Sequence, residues 1–306
     1  MRRGKLGGQF WSVYVGCPNA NESEFGDDMY YKSIHDTLQQ IDVIHRLADA
    51  YPDVFQFVLS ACEIIPAFRR GRVASLLGVE GLHQIGNSAA ILRQYYDAGV
   101  RYATLTHSCA NVYADSASAP AVHGGLSKKG EKLVREFNRL GMMVDLSHVS
   151  ADTMRQAIAV SKAPPFFSHS SAYAVCPHER NVPDDVLMQV KEGNGAVCVN
   201  FYSRYVRCEQ PEDATLSDVA DHIEYMGGLI GYDHICLGSD FDGIEITPEG
   251  LDDVSKYPDL VAELLRRGIS DVNVEKVVGL NTIRVLRDTE KVAQTLKGKL
   301  PLEEKV

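Results

Sequence analysis

Seven short apolar runs recur along the chain: FWSVYV (10–15), VASLLGVE (73–80), RYATLTH (101–107), MMVDLSH (142–148), PFFSH (165–169), AVCVNFY (196–202) and HICLGSDFD (234–242). They are continuously apolar instead of alternating, which is the mark of strands buried on both faces, as in a parallel sheet. Between most of them lie segments of helical period, such as SAAILRQYYDAG, SKKGEKLVREFNRLG and SADTMRQAIAVS. Each opens on a serine able to cap a helix, and two close on glycine. Strand followed by helix, repeated with no interdomain linker, gives an α/β chain of one domain. With 306 residues, 45% of them hydrophobic, there is material for a large core. A doubly wound sheet and a (β/α)8 barrel both satisfy the pattern. Five of the runs end in a polar or ionisable residue, which is what the catalytic mouth of a barrel requires.

Charge and cysteine spacing remove several classes of function. The formal net charge is -10, from 41 acidic and 31 basic residues, and the basic ones are scattered. No cationic stripe is available to neutralise phosphates, so nucleic acid is not an expected partner. No apolar run approaches the roughly 20 residues of a membrane span, and the N-terminal MRRGKLGGQFWSVYV lacks a signal-peptide core. The seven cysteines show no C-x-x-C spacing, which argues against a zinc knuckle or a dithiol redox motif.

The strand ends carry the candidate chemistry. Glu80 closes LLGVE, His107 closes ATLTH, His148 closes VDLSH, His169 closes FFSH, and Asp240 and Asp242 follow in GSDFD. Two imidazoles and a carboxylate at one mouth suit zinc, which takes nitrogen and oxygen ligands and leaves a position for water. Such an ion lowers the pKa of its water toward about 7, and a nearby carboxylate can then shuttle the proton. Hydrolysis is the reaction class this implies. Each residue also has a plain alternative: Glu80 can cap a turn, Asp240 can begin an Asx-turn, and Asp242 reads best as loop chemistry. His83 and His123 fall in expected loops and His35, His45 and His222 on helical segments, so packing or surface roles suit them; His178 and His234 carry no motif. Pro183 in RNVPDD reads as a helix start, and Arg180 just before it is either a surface charge or a guanidinium facing the mouth.

Taken together, GGQFWSVY, VASLLGVEG, YATLTHSC, VDLSHVS, FSHSSAY, RNVPDDVL, GSDFDG and VSKYPDLVAELLRRG resemble the membrane (renal) dipeptidase family of zinc peptidases, over about residues 4–290. The resemblance implies a metallo-dependent hydrolase barrel over 1–290; the tail that follows, 291–306, is charged and expected to fray. It implies a two-zinc site that cleaves dipeptides, some relatives taking Cys-Gly conjugates or β-lactams. Glu80 matches the bridging carboxylate, and His148 and His169 the two histidines of one zinc. Asp240 matches the acidic residue that moves the proton and holds the substrate ammonium. His107 matches a histidine near the scissile carbonyl, Arg180 the clamp on the substrate carboxylate, and Tyr205 a pocket-lining residue. A cation grip and an anion at opposite ends select a short zwitterion. By resemblance Cys17 pairs with Cys109 and Cys176 with Cys208, which leaves Cys62, Cys198 and Cys236 as buried thiols. Such pairing suggests a secreted or cell-surface protein, although the chain shows no signal peptide. A homodimer is the assembly left open.

The chain departs from the family pattern in one respect. The family carries a His-x-Asp strand, two ligands of the other zinc, upstream of GGQFWSVY, and Met1 stands six residues before that motif. The reading therefore expects a barrel lacking its first strand, with at most one well-liganded zinc and weak or no activity. A start codon upstream of Met1 is its preferred explanation. A relative with a shifted substrate, or one catalytically impaired, is the alternative.

Overall fold

The computed structural model describes residues 1–18, 26 and 30–303. The chain divides into two compact units, one of residues 7–165 with 286–306 and one of residues 1–6 with 166–285.

The unit built on residues 7–165 holds strands β1 (Gly8–Val13), β2 (Phe55–Phe57), β3 (Val73–Glu80), β4 (Val100–Thr104) and β5 (Met143–Asp145). Its helices are α1 (Tyr31–Ala50), α2 (Ala61–Arg69), α3 (Ala89–Asp97), α4 (Lys128–Leu140) and α5 (Ala151–Val160). All pairings are parallel. β3 is the centre: β1 runs along it from Gly8 opposite Ala74 to Val13 opposite Val79, and β2 pairs with Val73–Ser75. β4 pairs with Leu77–Glu80 and β5 with β4. All eight residues of β3 are buried, as its continuous apolar run requires. Its register against β4 shifts at Gly78, where a Cβ would lie 2.0 Å from the Tyr102 ring. Only glycine leaves room for that aromatic.

Serine caps the three anticipated helices: Ser88 accepts from the Ile91 amide, Ser127 from Gly130 and Ser150 from Thr153. α4 ends on Gly141 in the left-handed conformation, φ 85°. Gly130, in the first turn of α4, lies so near the Tyr113 carbonyl that a Cβ would stand 2.2 Å from its oxygen. Glycine to alanine inside a helix usually stabilises by about 1 kcal/mol. Here we expect Gly130→Ala to destabilise by about 1–3 kcal/mol, because the overlap is with backbone and cannot rotate away. Thermal denaturation of the variant should show a lowered midpoint; an unchanged or raised midpoint contradicts the packing described.

The second unit holds β6 (Phe166–Phe167), β7 (Ala196–Val199) and β8 (Ile235–Leu237), paired in that order and all parallel. Its helices are α6 (Asp184–Glu192), α7 (Ser203–Val206), α8 (Leu216–Ile230), α9 (Tyr257–Arg266) and α10 (Asp271–Glu275). Pro183 precedes α6, with Asp184 and Asp185 in the first turn, where carboxylates complement the helix dipole. α8 starts on a capping box, Thr215 with Asp218. Arg267, after α9, ties α9 to α8 through Glu263, Asp221 and Glu224; burial alone would lower its pKa, and these partners outweigh it and hold the pKa above the usual arginine value.

The last helix, α11 (Asn281–Thr295), begins in the second unit and ends in the first. Beyond it the chain was expected to fray, yet Leu302 is held: its amide donates to Glu136 and its carbonyl accepts from Arg93. No helix among the described residues is long and apolar enough to cross a membrane.

The cysteines require a correction. Cys17–Cys109 and Cys176–Cys208 are bonded as the resemblance implied, but Cys198 and Cys236 are also bonded, not buried thiols. They stand directly opposite each other on β7 and β8, so the register itself brings their side chains together. Cys62, expected inside, is exposed near the start of α2, beside Ser60.

Candidate active site

In the first unit the ends of β1, β3, β4 and β5 carry the polar groups. Glu80, the last residue of β3, is buried, and its Oε1 lies 2.9 Å from Nε2 of His148. Ser12 on β1 donates to the other carboxylate oxygen at 3.3 Å. His148 follows β5 with φ at 66°, the left-handed region that non-glycine residues adopt only when their surroundings hold them there. The holding is explicit. Its carbonyl accepts from the Ala117 amide at 2.8 Å and from the hydroxyls of Thr106 and Ser116. Asp145, at the end of β5, takes the Thr104 hydroxyl and the Ser147 amide and so fixes the turn just before it.

His107 packs its ring on that of His148, with centroids 4.4 Å apart, and on Tyr14 at 4.6 Å. Its Nδ1 lies 3.1 Å from the Ser108 hydroxyl. Burial and the Glu80 carboxylate push the Tyr14 phenol above its ordinary pKa. Glu80, His148 and His107 thus form one cluster. The Glu80–His148 spacing is suited to a shared cation. Donors at about 2.0–2.1 Å from one tetrahedral ion stand about 3.3 Å apart, so a small widening of the 2.9 Å contact would admit it.

In the second unit His169 follows β6, buried, with Nδ1 2.7 Å from the Ser168 hydroxyl. A hydroxyl partner on Nδ1 fixes the orientation of the ring. Asp240, after β8, has φ at 63° and accepts from the Asn200 side chain at 3.2 Å. Asn200 is itself fixed, because its own amide oxygen takes the Tyr202 amide. Arg180 is buried with its guanidinium over the Tyr205 ring, 5.3 Å from the centroid, and the His178 ring packs on Tyr205 as well, 4.6 Å away. Burial raises the Tyr205 pKa; Arg180 pulls it down and Asp240 pushes it up. One phenol therefore feels both a cation and an anion. That is the charge pattern a zwitterion with separated ends would meet.

All seven residues singled out as metal or substrate groups are buried or partly buried. Glu80, His148 and His107 come together in one unit, and Asp240, Tyr205 and Arg180 in the other. Ser12, Asp145 and Asn200 had not been given roles. Each ends or lies within an apolar run, so the signal of a buried polar residue beside a strand end was present. His222 is a packing histidine as expected: it is fully buried between the Ala172 amide and the Val206 carbonyl.

Comparison with known proteins gives a consistent answer. Residues 1–300 match the profile of the membrane dipeptidase family, peptidase family M19. The chain is 53% identical to the dipeptidase aclJ of Aspergillus oryzae, over 100% of its own length and 72% of that protein. It is 50% identical to the dipeptidase tcpJ of Claviceps purpurea, over 99% of its length and 71% of that protein. Among solved structures, a metallo peptidase from Rhodobacter sphaeroides, liganded with a phosphinate mimic of the dipeptide L-Ala-D-Ala, superposes with a TM-score of 0.85. It is 27% identical, over 94% of this chain and 88% of that one. The probable dipeptidase PvdM from Pseudomonas aeruginosa is alike in fold, with a TM-score of 0.87 at 23% identity, over 95% of this chain and 88% of that one. The fold is thus the TIM-type α/β architecture that the family resemblance implied.

Proposed function

Because the chain belongs to the membrane dipeptidase family, peptidase family M19, we propose that it is a zinc dipeptidase acting on free dipeptides. In this reading Glu80, His148 and His169 hold the ion, and His107, Arg180, Tyr205 and Asp240 receive the substrate. The observation that carries it is the buried carboxylate–imidazole contact of Glu80 with His148 at 2.9 Å, formed at the ends of two strands. In this reading His169 supplies a second imidazole. One oxygen and two nitrogens are the donor types zinc prefers.

The bound metal would supply Lewis acidity and a water acidic enough to react near neutral pH. The rest falls to the protein. Asp240, oriented by Asn200, takes the proton released as water adds to the peptide carbonyl, and returns it to the leaving amine as the C–N bond breaks. The same carboxylate attracts the free ammonium of the substrate. Arg180, backed by Tyr205, pairs with the free carboxylate through two parallel N–H donors. His107, packed on His148, stands where it can donate to the carbonyl oxygen as negative charge develops.

Recognition of both termini makes a length filter, and a substrate panel tests it. A free dipeptide should be hydrolysed with kcat/KM about 100-fold or more above that of its N-acetyl or C-terminal amide derivative, since each block leaves a charged group of the site without its counter-charge. Comparable rates on the free and blocked peptides would overturn the proposal.

A further inference from the structure

The Cys17–Cys109 disulfide has an unusual neighbour. His83 lies in the short 3-10 turn Leu82–Ile85 that follows β3, and only 1% of it is exposed. Its Nε2 is 2.7 Å from the Val15 carbonyl, which can only accept, so Nε2 carries the proton and Nδ1 presents a lone pair. Nδ1 is buried and has no hydrogen-bond partner among the described residues. A polar atom in that condition costs stability unless something meets it. Burial also lowers the His83 pKa, which keeps the ring neutral. Gly81 makes the space: with φ at 110°, a Cβ there would lie 2.6 Å from the His83 ring.

What lies near His83 is sulfur. An imidazole nitrogen of His83 and the sulfurs of Cys17 and Cys109 all fall within 4.8 Å of one another. While the sulfurs are bonded to each other they carry no charge and make poor ligands; as thiolates they become strong ones. The Cα atoms of Cys17 and Cys109 are 6.1 Å apart, which leaves room for the sulfurs to open to about 3.8 Å, the edge of a tetrahedron with bonds of about 2.3 Å.

We propose that Cys17, Cys109 and His83 form a second, redox-gated metal site, which takes a thiophilic ion of the zinc class when the disulfide is reduced. Two equivalents of a low-molecular-weight thiol supply the two electrons and end as their own disulfide. The two cysteine thiols formed lose their protons to solvent as the ion binds, and His83 adds its Nδ1 lone pair. A fourth position stays open to water. Oxidation of the two thiolates reverses the process and expels the ion. Either state ties the segment after β1 to the loop after β4, and so keeps Tyr14 against His107 under both oxidising and reducing conditions. The site uses none of the residues proposed to hold the metal of hydrolysis.

The probe is Co2+, added to the full chain before and after anaerobic reduction with a phosphine. Sulfur-to-cobalt charge-transfer absorption separates this site from an oxygen and nitrogen set, which cannot produce it. A Cys62→Ser background removes the exposed thiol. We expect the band in the reduced protein only, at one ion per chain, and its loss in Cys17→Ser. His83→Gln can keep the hydrogen bond to Val15 and the oxidised disulfide while it loses the lone pair. It should weaken binding in the reduced protein by at least about tenfold, since even outer-sphere partners of metal ligands are worth that much. No band in the reduced wild type overturns the proposal, even if a cysteine variant fails to fold. So does a band of equal affinity in His83→Gln, which would assign it to other thiols.

Discussion

Replacing His148 with alanine should lower kcat/KM for a free dipeptide by about 10³-fold or more, equivalent to about 4 kcal/mol of transition-state stabilisation. The loss should come with a matching loss of bound metal. The fold should survive, for a structural reason. The left-handed turn at His148 is held by its carbonyl, which accepts from Ala117, Thr106 and Ser116, and those bonds do not involve the ring. Truncation removes a nitrogen donor from Glu80 and the packing surface under His107, and leaves the end of β5 in place. Circular dichroism and metal analysis on the same sample separate the two effects. Activity within about tenfold of wild type, a change of only about 1.4 kcal/mol, would remove His148 from the chemistry.

Asp240→Asn should act differently. The amide has the same shape, so the backbone at φ 63° and the contact with Asn200 are both tolerable. What disappears is a base and a negative charge. Removal of a positioned proton shuttle costs about 10²–10⁴ in kcat, and KM should rise as well because the substrate ammonium loses its counter-charge. Metal content should stay at the wild-type level, since Asp240 is not among the proposed ligands. Titration of kcat and KM with a free dipeptide, and with its N-acetyl form as control, distinguishes the two roles. An unchanged kcat would mean that another group moves the proton.

Most of the strand framework could be read from the chain because its strands are buried on both faces and announce themselves as continuous apolar runs. All seven runs contain a strand. The eighth, β2, escaped because Phe55-Gln56-Phe57 is three residues long and gains its identity only by pairing with the start of β3. Glu80 and His148 stood out as ionisable residues closing apolar runs, where burial demands a purpose. Nothing local announces that His148 adopts a positive φ, since no glycine marks the turn; that conformation comes from Thr106, Ser116 and Ala117, far away in sequence. The Cys198–Cys236 bond was missed for the same kind of reason. It depends on the register of β7 against β8, a property of two strands together that neither segment records. For Arg180 the sequence allows a surface charge or a guanidinium facing the mouth; its burial over the Tyr205 ring, which excludes the surface charge, is a matter of tertiary packing. His83 reads from the sequence as a loop residue with a surface or packing role. Its turn is indeed irregular, but the disulfide beside it is a tertiary feature.

The most direct test is a chelation and reconstitution titration of the wild-type protein, followed by hydrolysis of a free dipeptide. If Glu80, His148 and His169 hold the ion that activates water, activity should fall to background as the metal is withdrawn and return in proportion to the zinc added back. Full activity in demonstrably metal-free protein would contradict the account.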